Sequence, residues 1–358
     1  MIQRLDLLIA RRMATRILTV VFLFFCLILL SETLDTIRFE HISAINGVGA
    51  AWLAIVTSAV RWAIKSLSVT VLIGAIIALL EFQSHREFVV MKASGISIWR
   101  IMVGPILFVA LLGVLVAFVF DGISTRINRE INPTPPGLGG GVARSTSDIW
   151  FKQTGDDGTY FIVAESSRKR GTVLRNVTVF PMGDGTVRRI EATRAEFSNK
   201  RWQFRNVMLT SMDGTITEQD SYRLKTNSNS ADLRLTVGST EDFTYVELLE
   251  VLSKNLNDPV VEAAAKTRLF KLTSLPLLLV GSLLIAFAFT AGYRRDNAYG
   301  TAILYGIVMG FVVFVITEMA DRAGSSGVLA PELATWGPAV VAILIGTSVL
   351  LRKEDGRV

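Results

Sequence analysis

Five basic side chains in this sequence have the type and position expected of a site for an anionic ligand. They are Arg38, Arg61, Lys65, Arg126 and Arg129. Each lies near the end of a long apolar run, on the side where the topology argued below places few other basic residues. Such groups could bind anionic lipid headgroups through charge-assisted hydrogen bonds. They could equally snorkel, or pair with Glu32, Asp35 and Glu130, and the sequence leaves these alternatives open.

A second distinctive pattern lies between two apolar runs, in the segment EFQSHREFVVMKASGISIWR. The mixture of Arg86, Glu87 and Lys92 with apolar residues such as Phe88 and Met91 is typical of a short helix lying at a membrane surface. Ser94 and Gly95 can end this helix, because glycine accepts the left-handed cap conformation. The pattern alone favours a plain surface helix over a helix that docks a partner.

Motifs for nucleotide binding and catalysis are missing from the sequence. The glycine-rich run at 137–141 lacks the Gly-Lys-Ser/Thr of a phosphate loop and the GxGxxG of a dinucleotide fold. Serine motifs such as GxSxG have no supporting partners. The single Cys26 and the separated His41 and His85 lack the spacing of zinc ligands. We therefore expect no enzymatic activity, no metal and no cofactor in this chain.

The composition is that of a membrane protein. Hydrophobic residues make up 51% of the 358 residues and charged residues only 19%, and the mean hydropathy is +0.46. The net charge of +6 is best explained by loops and headgroup contacts on one side of a membrane. No basic patch interleaved with aromatic residues indicates binding to nucleic acid.

Six apolar runs are predicted to span the membrane, at 13–34, 58–82, 99–120, 269–292, 299–320 and 334–351. Lys and Arg collect before the first run, between the second and third, between the fourth and fifth, and after the sixth. Six crossings put all four groups on one side, which predicts cytoplasmic N- and C-termini. The basic start is interpreted as leading into an uncleaved first span.

A long insert separates the two groups of three spans, so that we predict spans in 1–122 and 266–358 and a separate domain at 123–265. The insert opens with the Pro- and Gly-containing stretch ISTRINREINPTPPGLGGG, which suits a linker. Short β-rich runs follow, separated by turn sequences such as GDDG and GDG. They predict an all-β sandwich or jelly roll outside the cytoplasm. The later segment YVELLEVLSKN is predicted to be helical.

This arrangement resembles the YjgP/YjgQ permease family, which comprises LptF and LptG. The resemblance rests on VTVLIGAIIALLEFQSHREFVVMKASGIS, with its Leu-Gly-Ala-like step from Leu72 to Ala75 and its acidic loop from Glu87 to Gly95. It extends over essentially the whole chain. The stretches STSDIWFKQTGDDGTYFIVAES and GFVVFVITEMADRAGSSGVLAPELATWGPAVVAILIGTSVLLRK are more similar to the LptG branch than to the LptF branch.

The resemblance implies one membrane subunit of an ABC transporter that extracts lipopolysaccharide from the bacterial inner membrane. It implies a second, LptF-like membrane subunit, an LptB-like dimer that hydrolyses ATP, a bridge of LptC and LptA-like proteins, and a jelly-roll-like periplasmic domain. Glu87 matches the acidic position of the coupling helix that docks on the ATPase, and the resemblance extends this coupling role to Arg86, Phe88, Met91, Ser94 and Gly95. Arg61 matches a basic position that contacts lipopolysaccharide phosphates.

One departure from the family limits what can be carried over. LptG-type relatives can have several lysines toward the outer end of the first span, whereas the corresponding SETLDTIRFEHIS has Arg38 as its only Lys or Arg. The alternative functions are an ABC permease for another lipid or a lipoprotein, and a non-transport membrane scaffold with a periplasmic binding domain. Lipoprotein-releasing systems typically have four spans, so the three-plus-three arrangement argues against that class.

Overall fold

The computed structural model describes residues 2–85, 87, 90, 93, 95, 97–131, 149–155, 158–168, 172–182, 187–227, 233, 240–253, 256, 258–290 and 299–354. The chain divides into two compact units. One consists of Met1–Ile131 together with Thr267–Val358, and the other of Asn132–Lys266. Four positions of the predicted coupling segment, Arg86, Phe88, Met91 and Ser94, lie outside the described residues.

The helices, in chain order, are α1 Ile2–Thr33, α2 Thr36–Asn46, α3 Val48–Lys65, α4 Leu67–Ser84, α5 Ile98–Leu115, α6 Asp121–Ile131, α7 Tyr245–Leu252, α8 Pro259–Thr290, α9 Tyr299–Ser325 and α10 Pro331–Glu354. A π-helical turn, Val116–Phe120, joins α5 to α6. Within the first unit, α4 packs against α1 and α9, α3 packs against α1, α2 and α6, and α9 packs against α10.

Six of the described helical segments are long and apolar enough to cross a membrane. They are Leu8–Thr33, Val48–Lys65, Leu67–Ser84, Ile98–Ile131, Pro259–Thr290 and Pro331–Arg352. The predicted number is confirmed, but the set differs. The predicted second span at 58–82 includes parts of both α3 and α4, because the helix is interrupted at Ser66, where φ is −90° and ψ is 2°. The predicted fifth span at 299–320 lies in α9, which is helical but outside this set.

The segment that follows the third span is helical, where the sequence predicted a linker. Residues 121–131 contain no proline, and α6 ends just before Pro133. Asp121, Ser124, Thr125 and Asn128 are all buried, and their spacing of three and four residues places them on one face. One member of this face, Asp121, forms an ion pair with Arg268 on α8, a long-range contact that hydropathy could not predict.

Glycines allow the closest approaches between the helices. A Cβ added at Gly74 would lie 2.9 Å from Cα of Ile17 on α1, so the Leu72–Ala75 step is where α4 meets α1. A Cβ added at Gly113 would lie 2.6 Å from Cα of Pro276 on α8. Small residues at such contacts are typical of helix packing in membranes.

The second unit contains a six-stranded antiparallel sheet in which each strand pairs with the next along the chain. The strands are β1 Ile149–Gly155, β2 Gly158–Arg168, β3 Val173–Pro181, β4 Val187–Ser198, β5 Arg201–Ser211 and β6 Ile216–Lys225. The predicted all-β domain is confirmed. The described strands form a meander, whereas a jelly roll requires Greek-key connections, so the jelly-roll topology stays a prediction.

The sheet curls around a core that includes the fully buried Trp202 and Phe204. The chain just after β6 reaches the end of β1, where the backbone N–H of Asn227 donates to the carbonyl of Thr154 at 2.9 Å. Inside, the buried Gln153 side chain accepts hydrogen bonds from Trp202 Nε1 at 2.7 Å and from Tyr160 Oη at 3.2 Å.

The helix α7 was predicted from its sequence and is confirmed. Thr244 caps it in a reciprocal arrangement with Glu247, in which each residue accepts a hydrogen bond from the backbone N–H of the other.

Candidate functional site

Two ion pairs join α1 to the end of α4 and the segment after it. Arg12 Nη1 lies 2.7 Å from Glu87 Oε1, and Arg16 contacts both carboxylate oxygens of Glu81, with its Nε 2.6 Å from Oε2 and its Nη2 2.6 Å from Oε1. Arg12 and Arg16 are four residues apart and so project from one face of α1. We call these four residues the inner charge layer. Glu87, which the resemblance assigns to ATPase docking, thus has a partner within its own chain.

The opposite end of α1 carries a second group of charges, centred on Arg38. Its Nη1 lies 3.5 Å from Glu32 Oε2 and donates to Ser58 Oγ at 3.2 Å. Asp35 accepts a hydrogen bond from the Arg38 backbone N–H and caps α2. The sequence left headgroup binding, snorkelling and pairing with an acid open for Arg38, and the structure shows the pairing with Glu32.

Arg61 and Lys65 extend this group along α3. They follow Ser58 by three and seven residues and therefore lie on the same helix face. Lys65 Nζ lies 5.0 Å from the ring centroid of Trp62, a cation–π contact. The sequence placed both residues near the start of a span at 58–82. They instead lie in the last turns of α3, before the charge-free segment 66–80 that contains most of α4.

Arg126 and Arg129 lie on α6, not in a loop as the sequence predicted. Arg126 is exposed, on the side away from the buried polar face, whereas Arg129 is half-buried and follows Thr125 by four residues, so that it lies beside that face. Because α3 packs against α6, this helix lies beside the one that carries Arg61 and Lys65. Ile131 packs against the cluster of Ile42, Ala51 and Ala54, so the end of α6 lies beside the start of α3. We call Arg38, Arg61, Lys65, Arg126 and Arg129 the outer basic group.

The distance between the two charge groups matches a lipid bilayer. Arg12 and Glu32 are about 30 Å apart along α1, at about 1.5 Å of rise per residue. The hydrocarbon core of a bilayer is about 30 Å thick. Residues 17–31 and 66–80 carry no charge, and they connect the ends that bear charged residues. The geometry is that of an apolar layer bounded by ionic contacts on both sides.

Sequence reasoning missed two further ion pairs that tie α8 to its neighbours. Arg268 Nη2 lies 2.6 Å from Asp121 Oδ1 on α6, and Lys271 Nζ lies 2.6 Å from Asp321 Oδ2 on α9. The first pair is buried, with side-chain exposures of 11% and 4%. The available signal was the spacing of three residues between Arg268 and Lys271 just before an apolar run, which a reading based on hydropathy treats as flanking charge.

The acidic residues near the ends of the spans have structural partners. Besides Asp321 and Glu32, Glu318 lies 3.5 Å from Arg322 on α9. Among the described residues, no group of three or more His, Cys, Asp or Glu side chains is arranged to hold a metal ion.

Comparison with known proteins identifies one family. The family model described as lipopolysaccharide export system permease LptF/LptG matches residues 7–353. The search of curated proteins found no match for the chain. The matched range includes both units, the inner charge layer and every residue of the outer basic group.

Proposed function

Because the chain belongs to the LptF/LptG family of lipopolysaccharide export permeases, we propose that it is one membrane subunit of a transporter that extracts lipopolysaccharide from the inner membrane and passes it to a periplasmic bridge. The family match over residues 7–353 is the observation that carries this proposal. A permease subunit is not itself an enzyme. ATP hydrolysis is assigned to a separate LptB-like dimer, which is consistent with the missing phosphate-loop motif in this sequence.

The inner charge layer is assigned to the cytoplasmic side and the outer basic group to the periplasmic side. The excess of Lys and Arg in the first half of α1, between α4 and α5, between α8 and α9 and at the end of α10 supports this orientation. The β unit follows α6 in the chain, and within the helical unit the end of α6, which carries Arg126 and Arg129, lies beside the start of α3. It is therefore assigned to the periplasm, where it would hand lipid to LptC and LptA-like proteins.

The outer basic group is proposed to contact the phosphates of the lipid. Arg and Lys side chains at the end of the apolar layer place cations where anionic headgroups lie. Within the group, the Arg38 guanidinium also contacts Glu32 and Ser58.

Glu87 is proposed to couple the permease to the ATPase. Its carboxylate is about one-third exposed and is oriented by Arg12, which would fix the position of the following segment relative to α1. ATP can drive transport through this contact only if it binds one conformation of the complex better than the other. A second, LptF-like membrane subunit completes the transporter, and the sequence similarities of the β unit and α10 favour the LptG type for this chain.

A photocrosslinking experiment tests the transport proposal. Trp62, which is half exposed and adjacent to Arg61, is replaced by benzoylphenylalanine in membranes that contain lipopolysaccharide. We expect a lipopolysaccharide adduct whose yield decreases when the ATPase is supplied with ATP. The substitution Arg61→Gln should also lower this yield. Adducts with phospholipid alone would contradict the proposal that lipopolysaccharide is the substrate. Failure of any ATPase to copurify with the chain would instead support a membrane scaffold.

A further inference from the structure

A row of three arginines crosses the exposed face of the β unit. Arg175 on β3 is paired directly with Arg194 on β4, and Arg194 is paired directly with Arg205 on β5. All three side chains are exposed. Residues directly opposite each other in an antiparallel sheet point to the same face, and neighbouring strands are about 4.8 Å apart. The row therefore places the Cα atoms of three arginines within about 10 Å.

The local backbone brings these arginines to the surface. Asn176 and Asn206, each directly after an arginine of the row, adopt left-handed conformations with φ of 47° and 52°. Strict alternation would turn one residue of each Arg-Asn pair inward, but both are exposed. Thr193 forms hydrogen bonds with both Arg205 and Asn206. Its Oγ1 donates to the Arg205 carbonyl at 3.2 Å and accepts from Asn206 Nδ2 at 3.4 Å.

Two acids lie beside the three arginines, Glu196 and Glu165, and Glu165 accepts a hydrogen bond from Asn176, directly after Arg175. Arg194 Nη2 lies 2.6 Å from Glu196 Oε1. In the described part of the chain, neither Arg175 nor Arg205 forms a side-chain ion pair. Like charges directly opposite each other in a sheet are destabilising, so this arrangement opposes folding unless an anion offsets it.

We propose that Arg175, Arg194 and Arg205 form a binding site for phosphate groups of the transported lipopolysaccharide. Arginine presents a planar fork that matches phosphate oxygens in pairs, and all three positions are arginine, not lysine. Three arginines whose Cα atoms lie within about 10 Å suit a ligand with several closely spaced phosphates. The carboxylates on one face of a protein strand are about 6.8 Å apart and match this spacing less well. The row continues to Ser221 on β6, which is opposite Arg205 and adds a hydroxyl. This inference rests on the proposed function.

The test uses the full-length chain, assembled in its transporter complex, with Ser221 replaced by benzoylphenylalanine. The complex is supplied with intact or with dephosphorylated lipopolysaccharide. We expect a crosslink to the intact lipid, and at least about tenfold less when Arg175→Gln and Arg205→Gln are combined, since each charge-assisted hydrogen bond is worth about one decade or more in affinity. The matched control combines Arg188→Gln and Arg201→Gln, two exposed arginines of the same unit outside the row, and should leave the crosslink unchanged.

Thermal unfolding separates binding from a structural role. Removing two like charges from the row should leave the unfolding temperature equal or higher, whereas a structural role would lower it. Equal crosslinking of the dephosphorylated lipid, equal loss in the control pair, or a protein adduct in place of lipid would overturn the proposal. A lipid adduct at position 62 with none at 221 would overturn this site alone, whereas no lipid adduct at either position would overturn the transport function as well.

Discussion

Arg12 and Glu87 form an ion pair of 2.7 Å although 75 residues separate them in the sequence. The pair joins the start of the first span to the segment that is proposed to dock the ATPase. A substitution at Glu87 therefore changes an internal contact as well as an external one. The two roles can be separated because the internal partner is known.

A charge exchange between Arg12 and Glu87 distinguishes these roles. Glu87→Arg alone should weaken copurification with the ATPase, because it places a second cation opposite Arg12 and reverses the charge at the docking position. Combining it with Arg12→Glu restores an internal pair of opposite charges but leaves the docking charge reversed. We expect copurification to remain weak in the double variant. Full recovery would show that the internal pair alone matters.

The exchange at the neighbouring pair is the control. Arg16→Glu combined with Glu81→Arg reverses the ion pair between α1 and α4, one turn further along α1. This variant should bind the ATPase as well as the parent does. A comparable loss would mean that the whole inner charge layer, and not Glu87, determines assembly.

The buried Asp121–Arg268 pair is expected to be costly to break. Asp121→Ala leaves Arg268 as a buried charge without its partner, which typically costs about 3–5 kcal/mol of unfolding free energy. Replacing both residues, with Asp121→Leu and Arg268→Met, should recover most of this loss, because well-packed apolar side chains often match a buried pair in stability. Thermal unfolding in detergent measures both effects. Glu262→Gln, which breaks an exposed pair on the same helix, should change stability by less than about 1 kcal/mol.

The contact between Gly113 and Pro276 predicts a different result for two identical substitutions in one continuous helical segment. Gly113→Ala places a methyl group 2.6 Å from the Pro276 backbone and should destabilise the chain by about 1–3 kcal/mol. Gly122→Ala meets no atom within 4 Å and should stabilise it by up to about 1 kcal/mol through helix propensity. Equal effects in thermal unfolding would contradict the close packing of α5 on α8.

Hydropathy and turn residues were enough to predict the number of spans, the β insert and α7, because these depend on local patterns. The break at Ser66 and the helical continuation through α6 depend on tertiary contacts, such as the burial of Asn128 and the Asp121–Arg268 pair. The left-handed Asn176 and Asn206 also escaped prediction, since strand alternation assumes a regular backbone. Glu87 and Arg61 were selected by resemblance. Their internal surroundings, including Arg12 and the turn ahead of Ser66, required the structure.

The core of the β unit offers the last prediction, at Gln153. Its side-chain oxygen accepts from Trp202 Nε1 and Tyr160 Oη, and the residue is 4% exposed. Gln153→Leu keeps the approximate volume but leaves the indole N–H without this acceptor. Tyr160 still reaches the Lys225 carbonyl at 3.3 Å, so the indole carries most of the cost, about 1–3 kcal/mol. Hydrogen–deuterium exchange in the full-length chain should report this loss as faster exchange of the amides in β1 and β5.

Combining Gln153→Leu with Trp202→Phe removes the indole donor as well as its acceptor, so the two effects should be less than additive. Gln203→Leu, on the exposed face of β5, should leave exchange unchanged; if it accelerates exchange as much as Gln153→Leu, the buried hydrogen bond is not the cause.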